Sequence, residues 1–167
     1  IDLSAIAKGH GVDRAAAYLE NRGVSRYMIE VGGEIRLKGP KPNGKPWRIA
    51  IERPEGLRAV YGVLSLTDAG IATSGDYRNY FERDGRRFSH TIDPLTGYPI
   101  THDLASVTVL AASTAEADGW ATALMAMGPQ VGREVAEREG LAVYFIRKTP
   151  DGFEDWASKA FGKRVGK

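Results

Sequence analysis

Between Tyr27 and Ala111 the chain falls into many short strand-sized stretches, and its helical patterns stand before and after that run instead of alternating with it. "YMIEV" and "EIRLKG" flank Gly32-Gly33 like the arms of a hairpin. "WRIAIER" alternates apolar and polar residues, "AVYGVLSLT", "AGIATSG" and "RRFSHTID" supply further strand-sized pieces, and "LASVTVLAA" is an apolar strand. Helical spacing occurs from Ser4, with a stop at Gly23, again from Ser113 to Gly128, and in "PQVGREVAEREG". "LAVYFIRK" and, beyond the turn "PDGF", "EDWAS" close the chain with two more strands. Without regular strand–helix alternation the expectation is an α+β fold with a largely antiparallel sheet packed with helices.

At 167 residues a single domain spanning 1–167 is expected. The chain starts at "IDLSAI" without Met, directly inside a patterned segment. It therefore reads as the C-terminal part of a longer fold, incomplete at its N-terminus. No apolar run approaches the roughly 20 residues that cross a bilayer, and no signal peptide is visible. The net charge of +2 is dispersed, which argues against a nucleic-acid partner. "RDGRR" and "GKRVGK" read as solvated turns and a tail. Cysteine is absent, so disulfides, thiolate chemistry and zinc–thiolate sites are excluded.

The residues able to do chemistry are scattered along the chain. Ser113 and Glu116 form an S-x-x-E capping box that starts a helix with Ala115, Ala121, Leu124 and Met125 toward the core. Asp118 and Thr122 then fall one turn apart on one side of it. Spacing alone favours a surface polar pair near the positive end of the helix dipole. The competing reading is a hard-cation site: Mg²⁺ takes oxygen ligands, commonly one or two carboxylates with water and substrate phosphate.

In "DLSAIAKGHG", Lys8 lies among small residues where an ammonium can meet a phosphate, although no Walker A sequence is present. His10 reads as a surface residue. Gly9 and Gly11 each cost about 1 kcal/mol in a helix, and so predict close approach of a substrate or another backbone. "EVGGE" lacks G-x-G-x-x-G and is most simply a hairpin, though Glu30 and Glu34 can meet ribose hydroxyls or an adenine edge. Ser74, Asp76 and Tyr77, then Ser89, His90 and Asp93, sit where strands meet turns, a common place for binding residues. His90 has the chemistry for proton transfer near neutral pH.

Taken in order, "DLSAIAKG", "EVGGEIRLKG", "TSGDYRNYF", "SHTIDPLTGYP" and "STAEADGWATALMAMG" resemble the ApbE family of flavin transferases, over Asp2 to about Gly128. The resemblance implies a Mg²⁺-dependent transfer of FMN from FAD onto a threonine or serine hydroxyl of an acceptor protein, releasing AMP. FAD hydrolysis to FMN and AMP, or FAD binding without turnover, are the alternatives.

Carried over, the metal ligands are Asp118, Thr122 and the carbonyl of Ala5. His90 and Asp118 become the catalytic residues, either of which can take the acceptor's proton. Lys8, Glu30, Gly32, Gly33, Ser74, Tyr77 and His90 are expected to meet FAD. The loop reads "DPLTG", with Leu95 where the family more often has Arg. Expected partners are FAD, an acceptor subunit of a membrane redox complex and the N-terminal portion of the same fold, with a dimer also admitted. The expected location is the periplasm or the outer face of the cytoplasmic membrane, with a lipid anchor admitted.

Overall fold

The computed structural model describes residues 2–54, 60–75, 80–83 and 86–165. Its elements are α1 (Ser4–Glu20), β1 (Tyr27–Val31), β2 (Glu34–Lys38), β3 (Trp47–Glu52), β4 (Val60–Leu66), β5 (Ala69–Gly75), β6 (Tyr80–Arg83), β7 (Arg86–Ser89), β8 (Leu104–Ala111), α2 (Thr114–Arg138), β9 (Ala142–Thr149), β10 (Gly152–Ala157) and α3 (Lys159–Val165). Six strands form one sheet in the order β1-β2-β5-β8-β9-β10. Every pairing in it is antiparallel. The α+β expectation holds.

Strand β8 is buried at every position, because both faces of the sheet are covered around it. Val107, Val109 and Ala111 point one way and pack, with Val143 and Phe145, against Ala117, Ala121, Leu124 and Met125 of α2. On the other face Ile71, Leu110 and Ile146 meet Ile49 and Leu64 of the β3–β4 hairpin and Phe161 of α3. Period-two alternation in the strands thus feeds two cores at once. Position 117, not Ala115, carries the helix stripe, since Ala117 is fully buried and Ala115 only partly.

One departure from the sequence reading and one bend have simple causes. The tail "GKRVGK" begins inside α3, because burial of Phe161 holds that last turn against the sheet. The two helical runs expected on either side of Gly128 are both present and follow one another within α2 across a sharp kink. Gly128 has φ 77° and ψ 177°, and Pro129 follows it. Proline has no N–H to give the Met125 carbonyl four residues earlier. His102 Nε2 donates to that carbonyl instead, at 2.8 Å, while its Nδ1 accepts from the Leu104 amide at 3.3 Å. The imidazole stands where a side chain at 128 would begin, 2.8 Å from that point.

Helix α1 lies across the first half of α2, and glycine sets how close it comes. A Cβ on Gly9 would sit 2.4 Å from the Thr114 carbonyl oxygen, and one on Gly119 would sit 3.1 Å from Ile6. Of the two glycines marked as awkward in α1, Gly9 answers to a neighbouring backbone. Gly11 has open space around its Cβ position. The pair therefore predicts opposite mutational signs. Gly9→Ala forces the helices apart and should lower unfolding free energy by about 1–3 kcal/mol. Gly11→Ala should raise it by about 0.4–1 kcal/mol, by restricting the unfolded chain and favouring helix. Urea denaturation of the two variants reads both signs.

Candidate active site

The start of α2 is held by side chains from two directions. Asp13 reaches over from α1, where Oδ1 accepts from the Thr114 amide and Oδ2 from the Ala115 amide, both at 2.9 Å. Ser113 Oγ accepts from the Glu116 amide at 3.2 Å, the first arm of the expected capping box. The three leading amides that a helix leaves unpaired are thus satisfied. Asp13 escaped the sequence reading. Its signal was a carboxylate four residues after Gly9, on the face that the glycine presses onto α2.

One turn further along α2 lies Asp118. It is 4 % exposed, so it is no surface residue, and the surface-pair reading fails. Its Oδ2 accepts the Gly9 amide at 2.9 Å. In a regular helix that amide would serve the Ala5 carbonyl four residues back. Among the described residues no hydrogen bond falls on Asp118 Oδ1. Burial raises the Asp118 pKa above its ordinary value, and the Gly9 amide and the Lys8 charge partly oppose this.

A second buried carboxylate stands close by. Gly32 and Gly33, with φ 62° and 99°, make the two-residue turn of the β1–β2 hairpin, and Glu34 is the first residue of β2 beyond it. Glu34 is 1 % exposed; its Oε1 binds the Lys8 ammonium at 2.6 Å, and its Oε2 is buried with no partner. Burial raises its pKa too, Lys8 lowers it, and the Asp118 charge adds to the rise. Two carboxylates share one ammonium here, a balance that favours an added cation.

Thr122 completes the group. Its hydroxyl lies 3.3 Å from Ser74 Oγ, which rises from the end of β5. The neighbouring Thr73 and Thr108 hydroxyls, paired across β5 and β8 at 2.9 Å, anchor that strand end. Among the expected site residues, the fold therefore joins Lys8, Gly32, Ser74, Asp118 and Thr122. Gly32 brings the Cβ position of its turn within 3.4 Å of Lys8. Gly33 has open space on the same side, and Glu30 is exposed on β1 opposite Ile35. His90 is exposed just after β7, as is His10 on α1. Tyr77 and Asp76 lie outside the described residues. Leu95 is 94 % exposed at its loop tip.

Among the described residues no group of three His, Cys, Asp or Glu side chains could hold a metal. The oxygen donors at hand are instead the buried Asp118 carboxylate and the Thr122 hydroxyl one turn on. That set fits Mg²⁺, which tolerates few protein ligands when phosphate oxygens supply the others. A cavity of about 450 Å³ opens elsewhere, lined by Arg36, Lys38, Asp68 and Arg164 among others, and none of the site residues borders it.

The family model described as "ApbE family" matches residues 1–145. The FAD:protein FMN transferase of Haemophilus influenzae is 54% identical over 165 residues, covering 98% of this chain and 48% of that protein. That of Vibrio cholerae is 56% identical over 162 residues, covering 96% and 48%. Among solved structures, the apo flavinyl transferase ApbE of Pseudomonas stutzeri superposes with a TM-score of 0.89 at 48% identity, over 100% of this chain and 52% of that one. The ApbE protein of Thermotoga maritima gives 0.87 at 33% identity, over 100% and 54%. The chain spans about half the length of the curated relatives it matches. Fold, motifs and these likenesses agree, and the chain belongs to the ApbE family.

Proposed function

We propose that the protein containing this chain moves FMN from FAD onto a threonine or serine hydroxyl of an acceptor protein and releases AMP. The observation that carries this reading is Asp118: a buried carboxylate tied to the Gly9 amide, one helical turn from Thr122 and flanked by Lys8. Relatives named FAD:protein FMN transferase support the substrate.

In the transfer, the acceptor oxygen bonds to the FMN-side phosphorus as the bridging P–O bond breaks. AMP departs as the phosphate monoester. The hydroxyl proton passes to Asp118 or His90. Lys8 places positive charge beside the diphosphate, and its lost hydration is compensated by a fixed protein partner. Asp118 Oδ1, Thr122 Oγ1 and the Ala5 carbonyl would hold Mg²⁺. When bound, that ion supplies charge neutralisation at the phosphoryl oxygens. The acceptor is taken to be a subunit of a membrane redox complex on the outer face of the cytoplasmic membrane. Among the described residues no helix is long and apolar enough to cross a membrane.

The reaction test incubates the full-length protein with FAD, Mg²⁺ and an acceptor domain, then reads flavin fluorescence on the denatured acceptor together with AMP. Transfer labels the acceptor; free FMN and AMP without label would replace this reading by hydrolysis, and FAD retention without AMP would sink both. Asp118→Asn is expected to cut AMP release about 100-fold or more. His90→Ala should lower kcat roughly 100-fold if it takes the proton, and far less if Asp118 does. Thr122→Ala should raise the Mg²⁺ requirement roughly tenfold.

Thermal melts give a readout free of turnover. Because burial lifts the folded-state pKa of Asp118 above the unfolded 3.8, its anion destabilises the metal-free fold above the folded value. Asp118→Asn keeps an acceptor for Gly9 and removes that charge. In chelator its Tm should exceed that of the wild type at neutral pH, with the gain closing as pH falls toward the unfolded pKa. Mg²⁺ should then raise the wild-type Tm and leave that of the variant unchanged.

A further inference from the structure

We infer that Glu34 is a positioning residue that fixes the Lys8 ammonium beside Asp118 and keeps it turned toward the ligand's diphosphate. The pinning is independent of function; its purpose rests on the proposed use of FAD. Sequence marked Glu34 as a direct contact to ribose or adenine, but both its oxygens are committed or enclosed. Oε1 binds Lys8 at 2.6 Å, and Oε2 is buried without a partner.

The two ends of the pair differ in a way that gives the arrangement a direction. Glu34's side chain is 2 % exposed and Lys8's is 52 % exposed. An isolated carboxylate in such a place is strongly disfavoured, so Glu34 stays charged only while an ammonium is held against it. Among the described residues Lys8 is the one cation within ion-pair distance of it. A short charge-assisted bond of this kind is among the stronger contacts a lysine makes. It uses one of three ammonium donors and leaves the others on the open side.

Lys8 has a second carboxylate within electrostatic reach, since its charge lowers the pKa of Asp118 as well as that of Glu34. Without Glu34 the flexible lysine would be drawn onto Asp118 and would compete there for the oxygen left open. Glu34 is itself rigidly placed, being the first residue of β2 after a turn whose two glycines have positive φ. A side chain at position 32 would begin 3.4 Å from Lys8 and 3.6 Å from Glu34 Oε2, so the turn runs close beside both members. The hairpin thereby acts as the jig for a lysine on another element.

The test compares Glu34→Gln, Lys8→Met and the double variant in the full-length protein. Glutamine keeps the shape and removes the charge. The ¹⁵N-detected ammonium signal of Lys8 should report an ordered side chain in the wild type and a mobile one in Glu34→Gln. Equal mobility in both would overturn the pinning, whatever the enzyme does. For the purpose, the KM for FAD should rise about tenfold in Glu34→Gln while kcat changes less than about threefold. The double variant should be no worse than Lys8→Met alone, because one interaction has been removed twice. A fall in kcat with KM unchanged, matching a smaller folded fraction, or fully additive effects would reduce Glu34 to a structural residue. Should the wild type bind FAD without forming AMP, the transferase reading fails. FAD dissociation constants for the same three variants then decide this inference, with the same tenfold and non-additive pattern expected.

Discussion

The close seat of α1 on α2 is the contact from which the site follows. It depends on Gly9, whose missing side chain lets the backbones meet, and on two carboxylates that cross the gap in opposite directions. Asp13 leaves α1 to cap the first amides of α2, and Asp118 leaves α2 to take the Gly9 amide of α1. The first bond pair satisfies orphaned donors and stabilises the start of α2 in the ordinary way. The second places a charged group where water has little access, which costs stability. The helix pair is thus held by Asp13 so that Asp118 can remain buried.

That division explains why the electrostatics near Asp118 are unbalanced. Asp118 and Glu34 are both lifted above their usual carboxylate range by burial, and one ammonium serves the two. A core selected for stability alone would replace such groups by apolar ones of similar volume. Perturbed acids that cluster beside polar hydroxyls are instead characteristic of sites prepared for a ligand. Here an added cation would bring the compensating charge, and Ser74 and Thr122 would offer neutral oxygens beside it.

The sequence revealed the fold well wherever one local rule decided an element. Alternation in "WRIAIER", the Gly32-Gly33 turn and the Ser113 cap were all readable, because strand burial, positive φ and an orphaned amide each demand particular residues. Asp118 and Thr122 were legible as a pair, yet spacing favoured a surface role. Burial of Asp118 comes from α1, a hundred residues away in the chain, and no local pattern encodes that crossing. Asp13 was hidden, and Glu34 was noticed without its lysine, for the same reason, since each has its partner on another element. The kink was half visible: Gly128-Pro129 announced a break, but the His102 donor that lets the helix continue comes from the segment before β8.

One turn of α1 carries the three groups that the proposed function would use: the Ala5 carbonyl, the Lys8 ammonium and the Gly9 amide. They are spaced by helix geometry alone, so they move as a unit if the helix shifts. A small slide of α1 along α2 would displace all three from Asp118 and Thr122 together, and misplacement of about 1 Å can cost on the order of 100-fold in rate. Gly9 at the crossing, Gly119 beneath Ile6 and Asp13 at the cap would therefore govern the proposed chemistry by governing that slide. The groups on α1 need little individual specification once the crossing is fixed, and one glycine inside the helix, Gly9, is a reasonable cost for fixing it.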